Sequence, residues 1–244
     1  MRTNDVAEVS ALMALRLPPC HEQAGHPRRA LLLAVARNLV IGDHFARGPQ
    51  FTHYDPALLI GAEVSGSTLG IVGLGRIGKQ VARRARGFDM PIVYHNRRRD
   101  EAAERELGVQ YRTLPELLAQ SDFVALNCPL TTETTGLIGA RELAQMKPSA
   151  FLINMARGGV VQTDALTAAL QNRQIAGAAV DVTDPEPLPR NHPLLALDNL
   201  VITPHLGSAS DRTRRRMIEM SIINLRAGLL GQALSWQVHP TPAK

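Results

Sequence analysis

Three observations in this 244-residue sequence predict an α/β fold built on one doubly wound parallel sheet. From Thr68 onward, short apolar runs bounded by Gly, Pro or Asp alternate with helix-forming segments, a pattern that implies parallel pairing with right-handed crossovers. The first of those runs leads directly into Gly73-Leu74-Gly75-Arg76-Ile77-Gly78, a Gly-x-Gly-x-x-Gly turn opening a helix. The candidate chemical groups then fall just past strands, where open sheets of this class bind their ligands.

The spacing predicts strands at Leu69–Val72, Pro91–His95, Phe123–Asn127, Ala150–Asn154, Ala176–Val182 and Leu200–Thr203, with Val109–Tyr111 as a short additional one. Helices are expected at Lys79–Gly87, Glu101–Leu107, Pro115–Ala119, Ala140–Met146, Asp164–Asn172 and Ser210–Leu230. Upstream, Thr3–Leu15 reads as a helix capped by Asn4 or Asp5, broken at Pro18-Pro19, and Ala30–Val40 as a second apolar helix. Residues 1–30 thus form an irregular or interrupted hinge-helix segment, with two plain helices and a loop as the alternative. Gly42–Gly66 has no clear period and carries Phe45, Phe51 and Tyr54. It reads as a long extended loop whose favoured role is subunit contact. The expected division is 1–30, a dinucleotide-binding domain at 31–208, and a C-terminal helix and tail at 209–244.

The glycine turn implies a dinucleotide. Gly73 would make the tight turn, Gly75 would admit backbone N–H groups to a pyrophosphate, and Gly78 would let helix and strand pack closely. An acidic residue about twenty positions further on would hold the ribose 2′-hydroxyl of NAD. That place holds Tyr94-His95-Asn96-Arg97-Arg98-Arg99, with no carboxylate until Asp100. Asn96, Arg97 and Arg98 would instead grip a 2′-phosphate, so NADP(H) is favoured over NAD(H).

Composition narrows the classes further. Hydrophobic residues make up 45% of the chain, enough for a stable core without staples, and the two cysteines, Cys20 and Cys128, argue for a reducing compartment. The net charge of +5 comes with clustered arginines, but aromatics at 4% are too sparse for the stacking platforms of a nucleic-acid binder. No apolar run reaches the length of a membrane span and no signal-peptide pattern is evident, so a cytoplasmic location is expected. No metal site is expected.

Three residues carry candidate chemistry. Arg157, past Ile153-Asn154-Met155-Ala156, could clamp a carboxylate or polarise a carbonyl. Glu186 sits in the proline-rich run Asp181–Pro189, and His205 closes Val201–His205. A histidine beside a carboxylate has its protonated form favoured and suits a general acid. Anion clamp, proton donor and tuning group are the functions that reduction of a keto acid requires.

The segments GIVGLGRIGKQVARR, LNCPLTTETTGLIGARELAQMKPSAFLINMARGGVV, AGAAVDVTDPEPLPRNHPLL and LVITPHLGSAS resemble the D-isomer-specific 2-hydroxyacid dehydrogenases over most of residues 60–230. The DVTDPEPLPRNHPLL run with the NRRR turn looks most like glyoxylate/hydroxypyruvate reductases, with 2-ketogluconate reductases close behind. The resemblance implies a Rossmann-type domain and the catalytic set Arg157, Glu186 and His205: Arg157 on the substrate carboxylate and carbonyl, His205 protonating the carbonyl oxygen, Glu186 keeping His205 protonated. It implies that Arg76 and Ile77 line the pyrophosphate loop, and that Asp181 faces the nicotinamide end. Cys128 and Pro129 would lie along the cofactor, Cys128 as a packed thiol, with Thr134, Ala156 and Gly207 completing the lining. It also implies a small 2-oxoacid substrate and a homodimer joined through the Gly42–Gly66 arm. Family members carry a substrate domain built mainly from roughly the first hundred residues. This chain opens at a segment resembling the helix just after it. Only remnants of that domain are therefore expected, with impaired catalysis or a non-catalytic NADP-binding chain as the consequence.

Overall fold

A computed structural model describes residues 25–236; the helix expected at Thr3–Leu15 and the break at Pro18-Pro19 lie outside them. Residues Ala24–Gly207 form one compact unit, and the described residues from Ser208 onward fall in another.

The larger unit opens with α1 (Gly25–Ala36) and α2 (Leu39–Arg47). It then alternates β1 (Leu69–Val72), α3 (Arg76–Ala85), β2 (Ile92–His95), α4 (Glu101–Leu107), β3 (Gln110–Tyr111), α5 (Leu114–Gln120), β4 (Phe123–Leu126), α6 (Ala140–Leu143), β5 (Phe151–Asn154), α7 (Thr163–Gln171), β6 (Gly177–Val180) and β7 (Leu200–Ile202). All seven strands pair in parallel in the order β3-β2-β1-β4-β5-β6-β7. The order reverses direction between β1 and β4, and the crevice at such a switch point is where ligands bind.

The central strands are apolar on both faces because helices cover both. Leu69, Ile71, Phe123, Ala125 and Ile153 point into one core, shared with Leu31, Leu32 and Val35 of α1 and Val81, Ala82 and Ala85 of α3. Val72, Val124, Leu126, Leu152 and Val180 point into the other, with Leu117 and Leu118 of α5 and Leu166 and Leu170 of α7. Phe123 and Phe151 stack across neighbouring strands, centroids 5.4 Å apart. The helices are locally specified as well. Thr113 and Glu116 form a reciprocal capping box on α5, and Asp100 caps α4 by accepting the Ala103 N–H at 2.9 Å.

Three expectations need correction. The helix expected over Ala30–Val40 stops at Ala36, because Asn38 turns left-handed (φ 50°) and donates its amide to Leu59 O at 3.2 Å. Asparagine tolerates that conformation better than most residues. The stretch read as extended from Gly42 then begins inside α2, where Asp43 and Arg47 pair one turn apart at 2.9 Å. No α2 residue is fully buried; Ile41 and Phe45, one turn apart, are half-buried. Only beyond Arg47 does the segment become the irregular arm expected, with Tyr54 80% and Ile60 76% exposed. The helix expected over Ala140–Met146 is also shorter, ending at Leu143.

In the second unit Ser210 caps α8 (Asp211–Leu229). Asn224 holds the following turn through both bonds to the Trp236 backbone, at 2.9 and 3.3 Å. Among the described residues no helix is long and apolar enough to cross a membrane. Nor is any group of three or more His, Cys, Asp or Glu placed to hold a metal ion.

Candidate active site

At the C-terminal end of β1 the chain turns through Gly73 in a left-handed conformation (φ 99°), and a Cβ there would sit 2.6 Å from Cys128 N. A Cβ on Gly78 would collide with Gly73 O. Only glycine satisfies either position. Gly75 differs from both: a Cβ there would meet nothing within 4 Å. It is the N-cap of α3 and has no side chain to cap the helix, so the first-turn N–H groups are left for an outside acceptor, with the positive end of the helix behind them. An open space over exposed backbone donors is the cradle a pyrophosphate requires. The buried Asn127 Oδ1, at the end of β4 against Gly73, has no hydrogen-bond partner among the described residues, and an acceptor in that state calls for an external donor. The residues present therefore fit a dinucleotide.

Arg76 is exposed beside the cradle, and Ile77 turns inward to pack on the core. Asn96 Oδ1 accepts the Leu74 N–H at 2.7 Å, tying the end of β2 to the glycine turn. Arg97 and Arg98 are exposed and make no hydrogen bond or ion pair within the described residues. Arg99 is forked onto Glu104 at 2.8 and 2.7 Å. Across the crevice, Cys128 is buried and Pro129 is exposed. Thr134 donates its hydroxyl to Pro129 O at 2.6 Å, which fixes the loop. Glu133 is held below the usual carboxylate range, first by the Thr131 hydroxyl and also by its own backbone amide and Arg97.

The ends of β5, β6 and β7 carry the remaining groups. His205 Nδ1 lies 2.7 Å from Glu186 Oε1, both side chains about half exposed. His205 is left-handed (φ 55°), uncommon for a residue of its size. Its loop is held by Asp181, which is 2% exposed. Asp181 Oδ1 accepts the Thr203 hydroxyl at 2.5 Å and the Leu206 N–H at 2.7 Å, and Oδ2 accepts the Gly207 N–H at 2.7 Å. The His205 N–H returns to Asp181 O at 3.0 Å. A carboxylate offers about four acceptor sites, so one lone pair of Oδ2 stays open. Two consecutive N–H groups on one carboxylate form an anion nest, and it is this nest that stabilises the turn at the histidine.

Arg157 stands past β5, exposed, its guanidinium donating to Ala156 O at 2.7 Å; Ala156 itself is buried. Among the described residues it makes no ion pair with Glu186. Its turn is nonetheless seated against theirs. Gly158 packs so closely on the Thr183 carbonyl that no Cβ fits, and Thr163 donates to Asp184 O at 2.6 Å. Asn154, 1% exposed, braces the turn, accepting from Ala156 N–H at 3.0 Å and donating to Arg157 O at 3.0 Å. Sequence reasoning missed Thr203, Asn154 and Gly158; their signal was position alone, each at a strand end beside a candidate residue.

A parallel sheet with a glycine turn at its switch point, open over backbone N–H groups, is the architecture of a dinucleotide-binding domain. Residues 29–207 match the family model of the D-isomer specific 2-hydroxyacid dehydrogenase, NAD binding domain, and the chain belongs to that family. It is 47% identical over 207 residues to a glyoxylate reductase of Aeropyrum pernix (83% of this chain, 62% of that protein). It is 50% identical over 204 residues to one of Korarchaeum cryptofilum (83% and 61%). The chain thus spans about three fifths of the length of these curated relatives. The crystal structure of the TT0316 protein from Thermus thermophilus superimposes with a TM-score of 0.86 at 46% identity, covering 91% of this chain and 70% of that one.

Proposed function

We propose that this chain serves NADPH-dependent reduction of a small 2-oxoacid, glyoxylate or hydroxypyruvate, to the D-2-hydroxyacid. The observation that carries the reading is the 2.7 Å His205–Glu186 pair, whose loop is held by Asp181 at the same sheet end as the cradle. Its relatives' name, glyoxylate reductase, supports the substrate class.

The nicotinamide, when bound, supplies the hydride. The other work falls to this chain's side chains. Arg157 binds the substrate carboxylate and polarises its carbonyl. Glu186 takes the Nδ1 side of His205 and orients the ring, leaving Nε2 as the nitrogen that delivers a proton to the carbonyl oxygen. Glu186 then faces a neutral ring whose remaining proton sits on Nδ1. The open lone pair of Asp181 serves the carboxamide end of the cofactor, and Cys128, Pro129, Thr134, Ala156 and Gly207 line its path. Arg97 and Arg98, both exposed, take the 2′-phosphate. The exposed apolar arm, with Phe51, Tyr54 and Ile60, joins two copies into a homodimer, and a cytoplasmic location agrees with the reduced thiol.

Loss of NADPH absorbance with glyoxylate, hydroxypyruvate and 2-ketogluconate tests the reading. Turnover of the first two is expected. A folded chain that binds NADPH and turns over none of the three overturns it in favour of a non-catalytic binder. Turnover of 2-ketogluconate alone reassigns the substrate.

A further inference from the structure

The three arginines that follow β2 are chemically equivalent in sequence and are treated differently by the structure. The cause lies one residue inside the strand. Tyr94 is fully buried, its ring edge-on to Tyr111 with centroids 5.6 Å apart. Its hydroxyl reaches back out of the core into the turn. There it accepts the Asp100 N–H at 2.8 Å and donates to Glu104 Oε1 at 2.7 Å. Glu104 in turn holds Arg99 through its Nε and Nη2 groups, one on each carboxylate oxygen, a planar fork that fixes direction as well as distance. Asp100 is pinned from the other side by Lys79 of α3 at 2.8 Å. Residues 96–100 are thereby fastened at each end, to the glycine turn through Asn96 and to β2, α3 and α4 through the Tyr94 hydroxyl and Asp100. Arg99 is folded back onto α4, while Arg97 and Arg98 remain exposed and make no hydrogen bond or close ion pair among the described residues.

We propose that Tyr94 is a positioning residue for cofactor selectivity: its buried hydroxyl, acting through Asp100 and Glu104, splints the turn so that Arg99 is withdrawn and Arg97 and Arg98 are presented to the 2′-phosphate of NADP. The inference rests on the NADP reading above and adds a determinant that never touches the ligand. Its physical basis is pre-organisation. A turn already held in one conformation loses little freedom when it closes on a phosphate, whereas a loosened one must be ordered at the moment of binding. NADH, which has no 2′-phosphate, gains nothing from the arrangement.

The test is calorimetric titration of the full chain with NADPH and with NADH, for wild type, Tyr94→Phe and Glu104→Gln, with thermal melts as a check on folding. Wild type is expected to bind NADPH the more tightly. Tyr94→Phe, which removes only the hydroxyl, is expected to weaken NADPH about 3- to 10-fold and NADH less than about twofold. Glu104→Gln, on an outer helix, is expected to give the same selective loss, and it decides the matter if the tyrosine variant fails to fold. Equal weakening of both cofactors, or an unchanged ratio in a wild type that prefers NADPH, overturns the proposal alone. A wild type that binds NADH as tightly as NADPH overturns the NADP reading and the proposal with it.

Discussion

Gly75 and Gly78 stand three residues apart in one turn, yet replacing each by alanine should do opposite things. At Gly78 the added Cβ would strike the Gly73 carbonyl, and neither backbone can retreat without moving the close contact between α3 and β1. Overpacking of this kind costs about 1–3 kcal/mol. For a chain of this size each kcal/mol moves Tm by about 2–4 °C, so Gly78→Ala should melt roughly 2–12 °C lower. At Gly75 the backbone is extended (φ −77°) and a Cβ meets nothing within 4 Å. The unfolded-state entropy gained, about 0.4–1 kcal/mol, is offset by the poorer N-cap, about 0.5 kcal/mol or more, and Tm should stay within about 4 °C of wild type. The methyl would, however, occupy the space where a pyrophosphate must approach the N–H groups. NADPH binding should weaken by at least about tenfold, equivalent to about 1.4 kcal/mol. Thermal melts and fluorescence titration of the two variants decide the matter. Wild-type affinity in Gly75→Ala would refute the assignment of the turn as a phosphate cradle.

Three other outcomes follow from the same geometry. Gly158→Ala should be more destabilising than Gly78→Ala, about 3 kcal/mol or more, because its Cβ would meet backbone on the Thr183 side; denaturant midpoints measure this. Glu104 is held near pKa 2, below its ordinary 4.5, first by the Arg99 fork and then by the Tyr94 hydroxyl. A lowered carboxyl contributes stability above its unfolded pKa and loses it as protons bind the folded state. The gap in melting temperature between wild type and Glu104→Gln should therefore be full above about pH 4.5 and close as pH falls towards 2. Glu186→Gln keeps the shape of the His205 partner and removes its charge. Where the wild-type chain turns over, the variant should slow proton delivery on the order of 100-fold with NADPH affinity unchanged, and an unchanged rate would remove Glu186 from the mechanism.

What the sequence made legible was whatever depends on backbone constraint or on strand position. Gly73 and Gly78 are readable because the left-handed turn and the close approach admit no side chain, and the sheet order follows from alternation and crossover handedness. His205 and Glu186 are readable because both stand past strands that must be neighbours. The break at Asn38 was hidden because the residues on both sides form helix readily, and the left-handed turn depends on a bond to Leu59, twenty-one positions away. α2 was hidden because none of its residues is fully buried, and its apolar residues are split between half-buried Ile41 and Phe45 and exposed Leu39 and Val40. The sorting of Arg97, Arg98 and Arg99 was hidden for another reason. It depends on where the Tyr94 hydroxyl ends up, and Tyr94 reads in sequence as one more apolar strand residue. Asp181 was placed correctly at a strand end, but its three internal bonds come from Thr203, Leu206 and Gly207, more than twenty positions downstream.

The order of assembly is written into the glycine turn. Gly73 donates to His95 O at 2.9 Å at the end of β2, and its missing side chain leaves room for Cys128 beyond β4. The Leu74 amide reaches Asn96, 22 residues on, and the entry to β1 is fastened to Asp122, 54 residues on. Contacts of such long sequence separation form late, since the closure entropy of the intervening chain must be met first. The cradle cannot exist on β1 alone: it takes shape when β2 and β4 have both docked. A dinucleotide that fits it therefore recognises the finished centre of the sheet and ignores partly folded chains, and saturating ligand shifts the population towards the native state by mass action. Affinity for the dinucleotide is, on this topology, a measure of how much of the sheet centre has completed folding.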